Sequence, residues 1–254
     1  MCSRMVVGME NREIFSTITT LPPVFVRLDG RAFHRLAENL LLKKPFDDRF
    51  SDAMVRVCTG LVADSGLCPD FAFTFSDEIS LYFAQLPFGG RVEKIDSVSS
   101  SFAASSLTLA LGTLTPLSFD ARVIPATPGY AMEYLANRQN EAWRNHVNGY
   151  CQQVLIEEGM SAKKAAEHLK GLPVKALHEM MHKRGFNLAT TPAWQRRGVL
   201  VYKKITEKEG FNPITQQTVI AERSAVTVDR DLLMFTSPEG KKFMEKLVLS
   251  VKSD

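Results

Sequence analysis

The spacing of apolar and polar residues near the start of the chain predicts one strand followed by two helices. Residues 23–29 alternate between the two classes, which predicts a short strand that stops at Gly30. Residues 31–42 carry apolar side chains at the spacing of one helix face. Residues 47–66 show this spacing more clearly, and the two aspartates at their start provide an N-terminal cap.

A β-hairpin with an acidic tip is predicted for residues 70–86, where two alternating apolar runs flank a turn that carries Asp77 and Glu78. A long serine-rich helix over residues 91–111 and a strand over 117–126 follow. The order strand, helices, hairpin, helix, strand is typical of an α+β fold of ferredoxin type. We therefore expect an antiparallel sheet with helices on one face.

The second half of the chain is predicted to be mainly helical, with two short strands near its end. We place a soft boundary at residue 127, so that residues 1–127 and 128–254 form two regions or one compact unit. The predicted helices are 128–158, 161–170, 175–184 and 241–251, with Thr127-Pro128 marking the start of the first and Ser161 capping the second. The predicted strands are 198–205 and 218–228, separated by a turn-rich stretch, 209–213.

The composition is that of a folded globular protein. The 254 residues are 45% hydrophobic and 23% charged, which excludes a disordered chain. No apolar run approaches the roughly 20 residues of a membrane span, and the N-terminus has no signal-type apolar core. The four cysteines include no pair at metal-ligand or redox spacing. We expect a cytoplasmic protein without a membrane partner.

Positive charge is concentrated in the middle of the chain. Residues 138–204 carry 12 Lys/Arg and 5 Asp/Glu, a net charge of +7, whereas the whole chain has a net charge of +3. Clustered cations favour a polyanionic partner such as a nucleic acid. The alternative is a solvated helical surface.

Candidate chemistry lies at the predicted strand ends. Asp29 ends the first strand and Asp77 lies at the hairpin tip, and in a ferredoxin-type sheet both ends meet at one rim. Two carboxylates in proximity repel unless a divalent cation lies between them, and Mg²⁺ prefers few carboxylates with phosphate or water oxygens. Gly30 would let the backbone turn sharply towards metal and phosphate. The alternatives are that Asp29 caps a helix and that the hairpin acids form a solvated turn.

Six segments resemble the tRNA(His) guanylyltransferase family, in the same order and at similar spacing. They are Arg27-Leu28-Asp29-Gly30-Arg31-Ala32-Phe33-His34, Lys44-Pro45-Phe46-Asp47-Asp48-Arg49, Ser76-Asp77-Glu78, Phe119-Asp120-Ala121-Arg122, Tyr134-Leu135-Ala136-Asn137-Arg138-Gln139 and Arg196-Arg197-Gly198. One such segment is a weak signal, whereas the ordered set is specific.

The resemblance implies a polymerase-like palm with two magnesium ions that extends tRNA in the 3′–5′ direction. The 5′ phosphate is activated with ATP or GTP and is then attacked by the 3′-hydroxyl of an incoming nucleotide, often GTP. By position, the implied catalytic residues are Asp29, Asp77 and Glu78, and the metal ligands are Asp29, the Gly30 carbonyl and Asp77. The implied nucleotide-binding residues are Asp29, Gly30, Arg31, Ala32, Phe33, His34, Lys44, Ser76, Asp77, Arg91 and Lys94.

One departure from the family concerns tRNA selection. Eukaryotic members carry His-Ile-Asn-Asn, tied to recognition of the histidine anticodon, where this chain has Trp143-Arg144-Asn145-His146. The chain therefore looks more like the archaeal and bacterial branch, which favours repair of 5′-truncated tRNAs. The resemblance also suggests a homotetramer built as a dimer of dimers.

The basic second half is then expected to bind the acceptor stem and 5′ end of tRNA. Trp143 either stacks on a splayed base or, as we favour, packs in a helix–helix core or a subunit interface. The candidate tRNA-binding residues are Arg138, Arg144, Asn145, Arg196 and Arg197, with Lys203 and Lys204 beside them.

Two other functions fit the same pattern. A nucleotidyl cyclase uses a similar palm-like sheet with acids at the same strand ends, although it needs no basic second half. A non-catalytic tRNA-binding protein would keep the basic surface and use the acids only for folding.

Overall fold

A six-stranded antiparallel sheet forms the centre of the protein. The computed structural model describes residues 13–212 and 217–249, and for residues 206–212 and 217–223 only the backbone. The strands are β1 (Val24–Gly30), β2 (Phe71–Phe75), β3 (Glu78–Phe83), β4 (Phe119–Pro125), β5 (Val199–Asn212) and β6 (Gln217–Asp229). Their order in the sheet is β4-β1-β3-β2-β5-β6, and every neighbouring pair is antiparallel.

Eight α-helices are described around this sheet. They are α1 (Phe33–Asn39), α2 (Asp48–Ala63), α3 (Val92–Leu111), α4 (Pro128–Glu157), α5 (Ala162–Leu169), α6 (Val174–Lys183), α7 (Ala193–Arg197) and α8 (Pro238–Leu249). Side chains of Asp47, Thr127 and Ser161 cap α2, α4 and α5 by accepting backbone hydrogen bonds, as the sequence predicted.

Alternation along β1 directs its side chains into two separate hydrophobic cores. Val24, Val26 and Leu28 pack with α2 and α3 on one face, as expected for a ferredoxin-type layer. Phe25 faces the other way and stacks on Tyr134 of α4 at a ring-centroid distance of 4.1 Å. The α+β class and antiparallel sheet are confirmed, and α4 and α8 cover the second face.

The last two strands differ most from the sequence prediction. Residues 209–212, predicted as a turn, continue β5, because the ladder with β6 runs unbroken from the Leu200–Asp229 pair to the Asn212–Gln217 pair. β5 also pairs with β2, so strands from both sides of residue 127 share one sheet. The division at residue 127 stays a prediction.

The junction between α7 and β5 requires glycine. Gly198 has φ 77° and ψ −170°, and a Cβ there would lie 2.6 Å from the Phe73 ring and 2.8 Å from the Thr74 carbonyl oxygen. The position therefore combines a backbone conformation unfavourable to side chains with a lack of space.

We predict that Gly198→Ala lowers the free energy of unfolding by about 2–5 kcal/mol, because left-handed strain and overpacking add. Gly185→Ala is the matched control, since Gly185 has φ 79° and a Cβ there would meet no atom within 4 Å, and it should lose about 1–2 kcal/mol. Urea unfolding measures both variants. Equal losses would show that crowding by Phe73 and Thr74 contributes nothing.

Candidate active site

Three carboxylates meet at one end of the sheet, and we call Asp29, Asp77 and Glu78 the acidic rim. Asp29 pairs directly with Glu78 across β1 and β3. The Gly30 amide donates a hydrogen bond to the Asp77 carbonyl oxygen at 3.1 Å, which joins the end of β1 to the hairpin tip. The structure therefore brings together Asp29 and Asp77, as the sequence predicted.

Burial disfavours the ionised forms of two acids of the acidic rim, Asp77 and Glu78. Burial raises the pKa of Asp77, and the charge of Asp29 raises it further, against hydrogen bonds from its own amide and from Ser76. Burial also raises the pKa of Glu78, although Arg138 donates to Glu78 Oε2 at 3.1 Å and opposes the shift. Within the described part of the chain, Glu78 Oε1 is buried without a hydrogen-bond partner.

Two arginines hold Asp29 at the edge of this rim. Arg27 Nε donates to Asp29 Oδ2 at 3.2 Å, and Arg122 Nη2 lies 3.3 Å from the same oxygen. Arg122 also pairs with Asp120 at 3.0 Å. The site predicted from sequence did not include Arg27 or Arg122. Both arginines lie in segments that resemble the family, and this position could have marked them as site residues. The pairing of β1 with β4 places Arg27 opposite Arg122 and Asp29 opposite Asp120.

Gly30 serves close packing rather than a sharp turn. A Cβ at Gly30 would lie 2.7 Å from the Phe33 ring, whereas Gly30 itself has no left-handed φ. The left-handed residue is Ala32, with φ 61°. The expected reason for glycine was therefore wrong. The Arg31 amide donates to the Ser118 carbonyl oxygen, which fixes the path from β1 to α1.

A cavity of about 420 Å³ opens beside the acidic rim, and we call it the rim cavity. Its volume falls in the range of small-molecule sites. Apolar walls come from α2, α4 and α7, including Phe50, Ala142 and Trp194. Predicted site residues among those lining it are Phe33, His34, Lys44, Ser76, Asp77 and Asn145. Asp29, Gly30, Arg31, Ala32 and Glu78 lie outside its lining.

Buried groups fix the loop that carries Lys44 into the rim cavity. Burial alone would raise the pKa of Asp47, but hydrogen bonds from Lys43, Phe50 and Arg49 lower it below its usual value. On the other side of the loop, Phe46 stacks on His146 of α4 at 5.8 Å. The loop is therefore held from two directions.

His146 joins α4 to the segment before α7. Its Nε2 lies 2.8 Å from the Thr191 hydroxyl, and burial lowers its pKa to about 4, with Arg196 and His178 adding to the effect, so the ring is neutral at pH 7. Trp143 stacks on His146 at 5.2 Å and tilts against His178 at 5.4 Å. These contacts support the packing interpretation of Trp143.

The predicted phosphate ligands on α3 lie at the wrong end of the sheet. Thr19 and Arg91 form a β-bridge, and Thr20 precedes β1 at the end opposite the acidic rim. From the first residue of β1 to Asp29 the strand spans about 17 Å. Lys94 lies one turn from Arg91, with Nζ 4.8 Å from the Phe88 ring centroid. A single chain therefore does not bring Arg91 and Lys94 to the acidic rim, and their contact with a triphosphate stays a prediction.

Several candidate tRNA-binding arginines make internal contacts. Arg138 holds Glu78, Arg196 Nε donates to the Thr191 carbonyl at 2.9 Å, and Arg197 Nη1 donates to the Leu232 carbonyl at 2.6 Å. These guanidinium groups stabilise the fold, and their contacts with RNA stay predictions.

The remaining candidates lie in different places. Arg144 is exposed and pairs with Glu141, and Asn145 faces the rim cavity. Lys203 and Lys204 follow Tyr202, which pairs with Phe71 at the end of the sheet away from the rim.

Two kinds of feature are absent from the part of the chain that the structure describes. In the described ranges, no group of three or more His, Cys, Asp or Glu side chains is arranged to hold a metal by itself. No helix among the same residues is both long and apolar enough to cross a bilayer.

Solved structures identify the architecture as a polymerase-type palm. A bacterial tRNA(His) guanylyltransferase (Thg1)-like protein in complex with ATP superposes with a TM-score of 0.74 at 23% identity, covering 94% of this chain and 96% of that one. Such a protein in complex with GTP gives 0.69 at 23% identity, covering 95% and 97%. These likenesses define the fold class.

The family follows from sequence relatives. The family model "Thg1: tRNAHis guanylyltransferase" matches residues 8–127. A Bos taurus probable tRNA(His) guanylyltransferase is 30% identical over 241 residues, covering 88% of this chain and 80% of the relative. The chain belongs to the tRNA(His) guanylyltransferase family. It spans only 36% and 38% of two Arabidopsis thaliana relatives, tRNA(His) guanylyltransferases 1 and 2, to which it is 28% identical.

We predict that Asp77→Asn stabilises the protein at pH 7 in EDTA by on the order of 1 kcal/mol. The raised pKa of Asp77 means that its ionised form disfavours folding, and stability is lost as the pH rises through that pKa. The stability that Asp77→Asn adds should therefore decrease as the pH is lowered towards 4. Thermal unfolding at both pH values measures it.

Glu245→Gln, at an exposed position of α8, serves as the control and should change stability by no more than about 0.5 kcal/mol. A destabilised Asp77→Asn protein at pH 7 would contradict the charge argument.

Proposed function

We propose that this protein is a magnesium-dependent nucleotidyltransferase that adds nucleotides to the 5′ end of tRNA in the 3′–5′ direction. The observation that carries the proposal is the position of Asp29 and Asp77, joined through the Gly30–Asp77 hydrogen bond beside a cavity of nucleotide size. Membership of the family supports the reaction class and the tRNA substrate.

The rim cavity is proposed to bind the nucleoside triphosphates. Lys44 and His34 offer donors to phosphate oxygens at the cavity wall, and Asp77 lies on the same wall. Phe50 and Trp194 provide apolar surface for a base. The bacterial structural neighbours were solved with ATP and GTP, which supports these two nucleotides as the activating and incoming substrates.

The oxygen atoms of the acidic rim suit magnesium. Carboxylates of Asp29 and Asp77 with the Gly30 carbonyl form an all-oxygen donor set. The buried Oε1 of Glu78, which has no hydrogen-bond partner among the described residues, adds negative charge. No complete protein cage is present among the described side chains, so phosphate and water oxygens would supply the remaining ligands of two ions. Asp29, Asp77 and the Gly30 carbonyl would hold the ions, whose charge would make the attacking hydroxyl more acidic and offset the negative charge of the leaving group.

The chain's own residues hold this arrangement in place. Arg138 fixes one oxygen of Glu78, and the Ser76 hydroxyl donates to Asp77 Oδ1 at 3.1 Å. Partial burial of the rim strengthens its electrostatic interaction with a bound cation. Orientation and charge are therefore set before substrates bind.

The finer assignment concerns which tRNA is extended. Because Trp143 and Arg144 stand in place of the eukaryotic anticodon-recognition residues and Trp143 packs internally, we favour template-dependent repair of 5′-truncated tRNAs over strict tRNA(His) guanylylation. We also propose a homotetramer that acts in the cytoplasm, as the family resemblance implies.

A 5′-extension assay tests the function. Wild-type protein with ATP, GTP and Mg²⁺ should add nucleotides to tRNA lacking its first nucleotide, and more slowly to full-length tRNA(His). Loss of the reaction in EDTA is expected. A cyclic nucleotide formed from GTP without RNA would instead identify a cyclase.

We predict that Asp29→Ala or Asp77→Ala lowers the extension rate by at least about 10²-fold, with tRNA affinity nearly unchanged, because phosphate contacts elsewhere dominate binding. Asp64→Ala, at the end of α2 away from the rim, is the control and should keep activity. Single-turnover rates and filter binding measure the two effects. Full activity in either rim variant would refute the assignment.

Arg122→Ala should tighten Mn²⁺ binding to the nucleotide-free protein by up to about fivefold. The cation competes with Arg122 for Asp29 Oδ2, and exposed ion pairs contribute up to about 1 kcal/mol. Electron paramagnetic resonance measures free Mn²⁺. Arg56→Ala, on the exposed side of α2, should leave affinity unchanged. Weaker Mn²⁺ binding in the Arg122 variant would show that Arg122 builds the metal site instead of competing for it.

A further inference from the structure

A cluster of exposed positive charge in the second half lies on and next to α5 and α6, whereas the arginines near the sheet make internal contacts. Five lysines between residues 162 and 183 are exposed, against two glutamates, Glu167 and Glu179. In the part of the chain with described side chains, none of these lysines forms a salt bridge, whereas Arg184 pairs with Glu158. The lysines are Lys163, Lys164, Lys170, Lys175 and Lys183.

Two of these lysines line a groove between α4, α5 and α6, and we call it the basic groove. Its volume is about 600 Å³. Lys163 and Lys170 lie on its α5 side, about 10 Å apart along the chain axis at helical rise, and Arg144 faces them from α4. Apolar residues such as Val147 and Leu177 form part of the lining.

The basic groove adjoins the rim cavity. Gln152 of α4 lines both, and its Nε2 donates to the Ala162 carbonyl oxygen at the start of α5 at 3.4 Å. Ala162 lines the rim cavity as well. The shared lining at Gln152 offers a chain that ends in the rim cavity a path next to Lys163 and Lys170.

We propose that the basic groove binds the phosphodiester backbone of the RNA substrate close to the end that is extended. The identity of the RNA rests on the proposed function. The choice of this surface rests on its positive charge and on its position next to the rim cavity. Lysines without carboxylate partners are available for phosphates, and each neutralised phosphate releases counterions. A surface that only contacts solvent does not need to adjoin the rim cavity, whereas a surface that binds RNA next to the extended end does.

The chain offers a matched surface as a control. Lys241 and Lys242 are exposed on α8, which packs on the sheet with α4 and lines neither the basic groove nor the rim cavity. Replacing this pair removes the same number of charges from a helix of the same protein. The comparison therefore separates local phosphate contacts from overall charge.

The test measures tRNA affinity of Lys163→Ala/Lys170→Ala and Lys241→Ala/Lys242→Ala proteins by filter binding over a series of salt concentrations. Loss of two phosphate contacts should flatten the slope of log K against log salt by about 1.4–1.8 in the groove variant and lower affinity roughly tenfold. The α8 variant should keep the wild-type slope. The KM for GTP should stay unchanged in both, because Lys44 and His34 remain.

An unchanged slope in the groove variant, or equal flattening in both variants, overturns the proposal. Failure of the proposed function looks different: wild-type protein would not extend any RNA, while the slope would still respond to Lys163 and Lys170. The binding data therefore test whether the basic groove binds RNA, and the extension assay tests whether the protein catalyses nucleotide addition.

Discussion

The hydrogen bond from the Gly30 amide to the Asp77 carbonyl oxygen is the contact on which the candidate site depends. It joins the last residue of β1 to the tip of the β2–β3 hairpin, and the Asp29–Glu78 pair fixes the register on the adjacent step. Asp29 lies within β1, so the strand pairing and this hydrogen bond together hold it next to the turn that carries Asp77. Gly30 is needed there because the Phe33 ring occupies the space of a side chain.

α4 connects the acidic rim to the rest of the site. Near its start Tyr134 stacks on Phe25 and shares a 2.9 Å hydrogen bond with Ser80, which fixes the helix against the sheet. One turn later Arg138 reaches Glu78, and two turns beyond that His146 packs on Phe46 of the Lys44 loop. A rigid helix thus sets the distance between the carboxylates and the predicted phosphate-binding loop.

Local sequence patterns were sufficient for the first four strands and for the acids, and insufficient for the full length of β5 and for the cations. Alternation located β1 and the hairpin, and capping residues such as Thr127 located helix starts. Periodicity shows which face a residue occupies but not which end of the sheet a helix starts from, so Arg91 was misplaced. The acidic partner of an arginine can lie far away in the sequence, as with Arg138 and Glu78, which are 60 residues apart. Such pairs depend on tertiary packing that no local pattern records.

Among the described side chains Asp77 has no cationic partner, which supports a role for the rim acids in binding a ligand rather than in folding. A carboxylate kept for stability is expected to have a depressed pKa, as Asp47 has through its hydrogen bonds. Asp77 and Glu78 have raised pKa values because burial disfavours their ionised forms, and only Glu78 has a guanidinium partner. The fold tolerates this cost because two hydrophobic cores support the sheet. A bound cation would stabilise the ionised carboxylates, so the free energy lost by burying them would contribute to the binding of the cation. This is expected of a site for metal and phosphate.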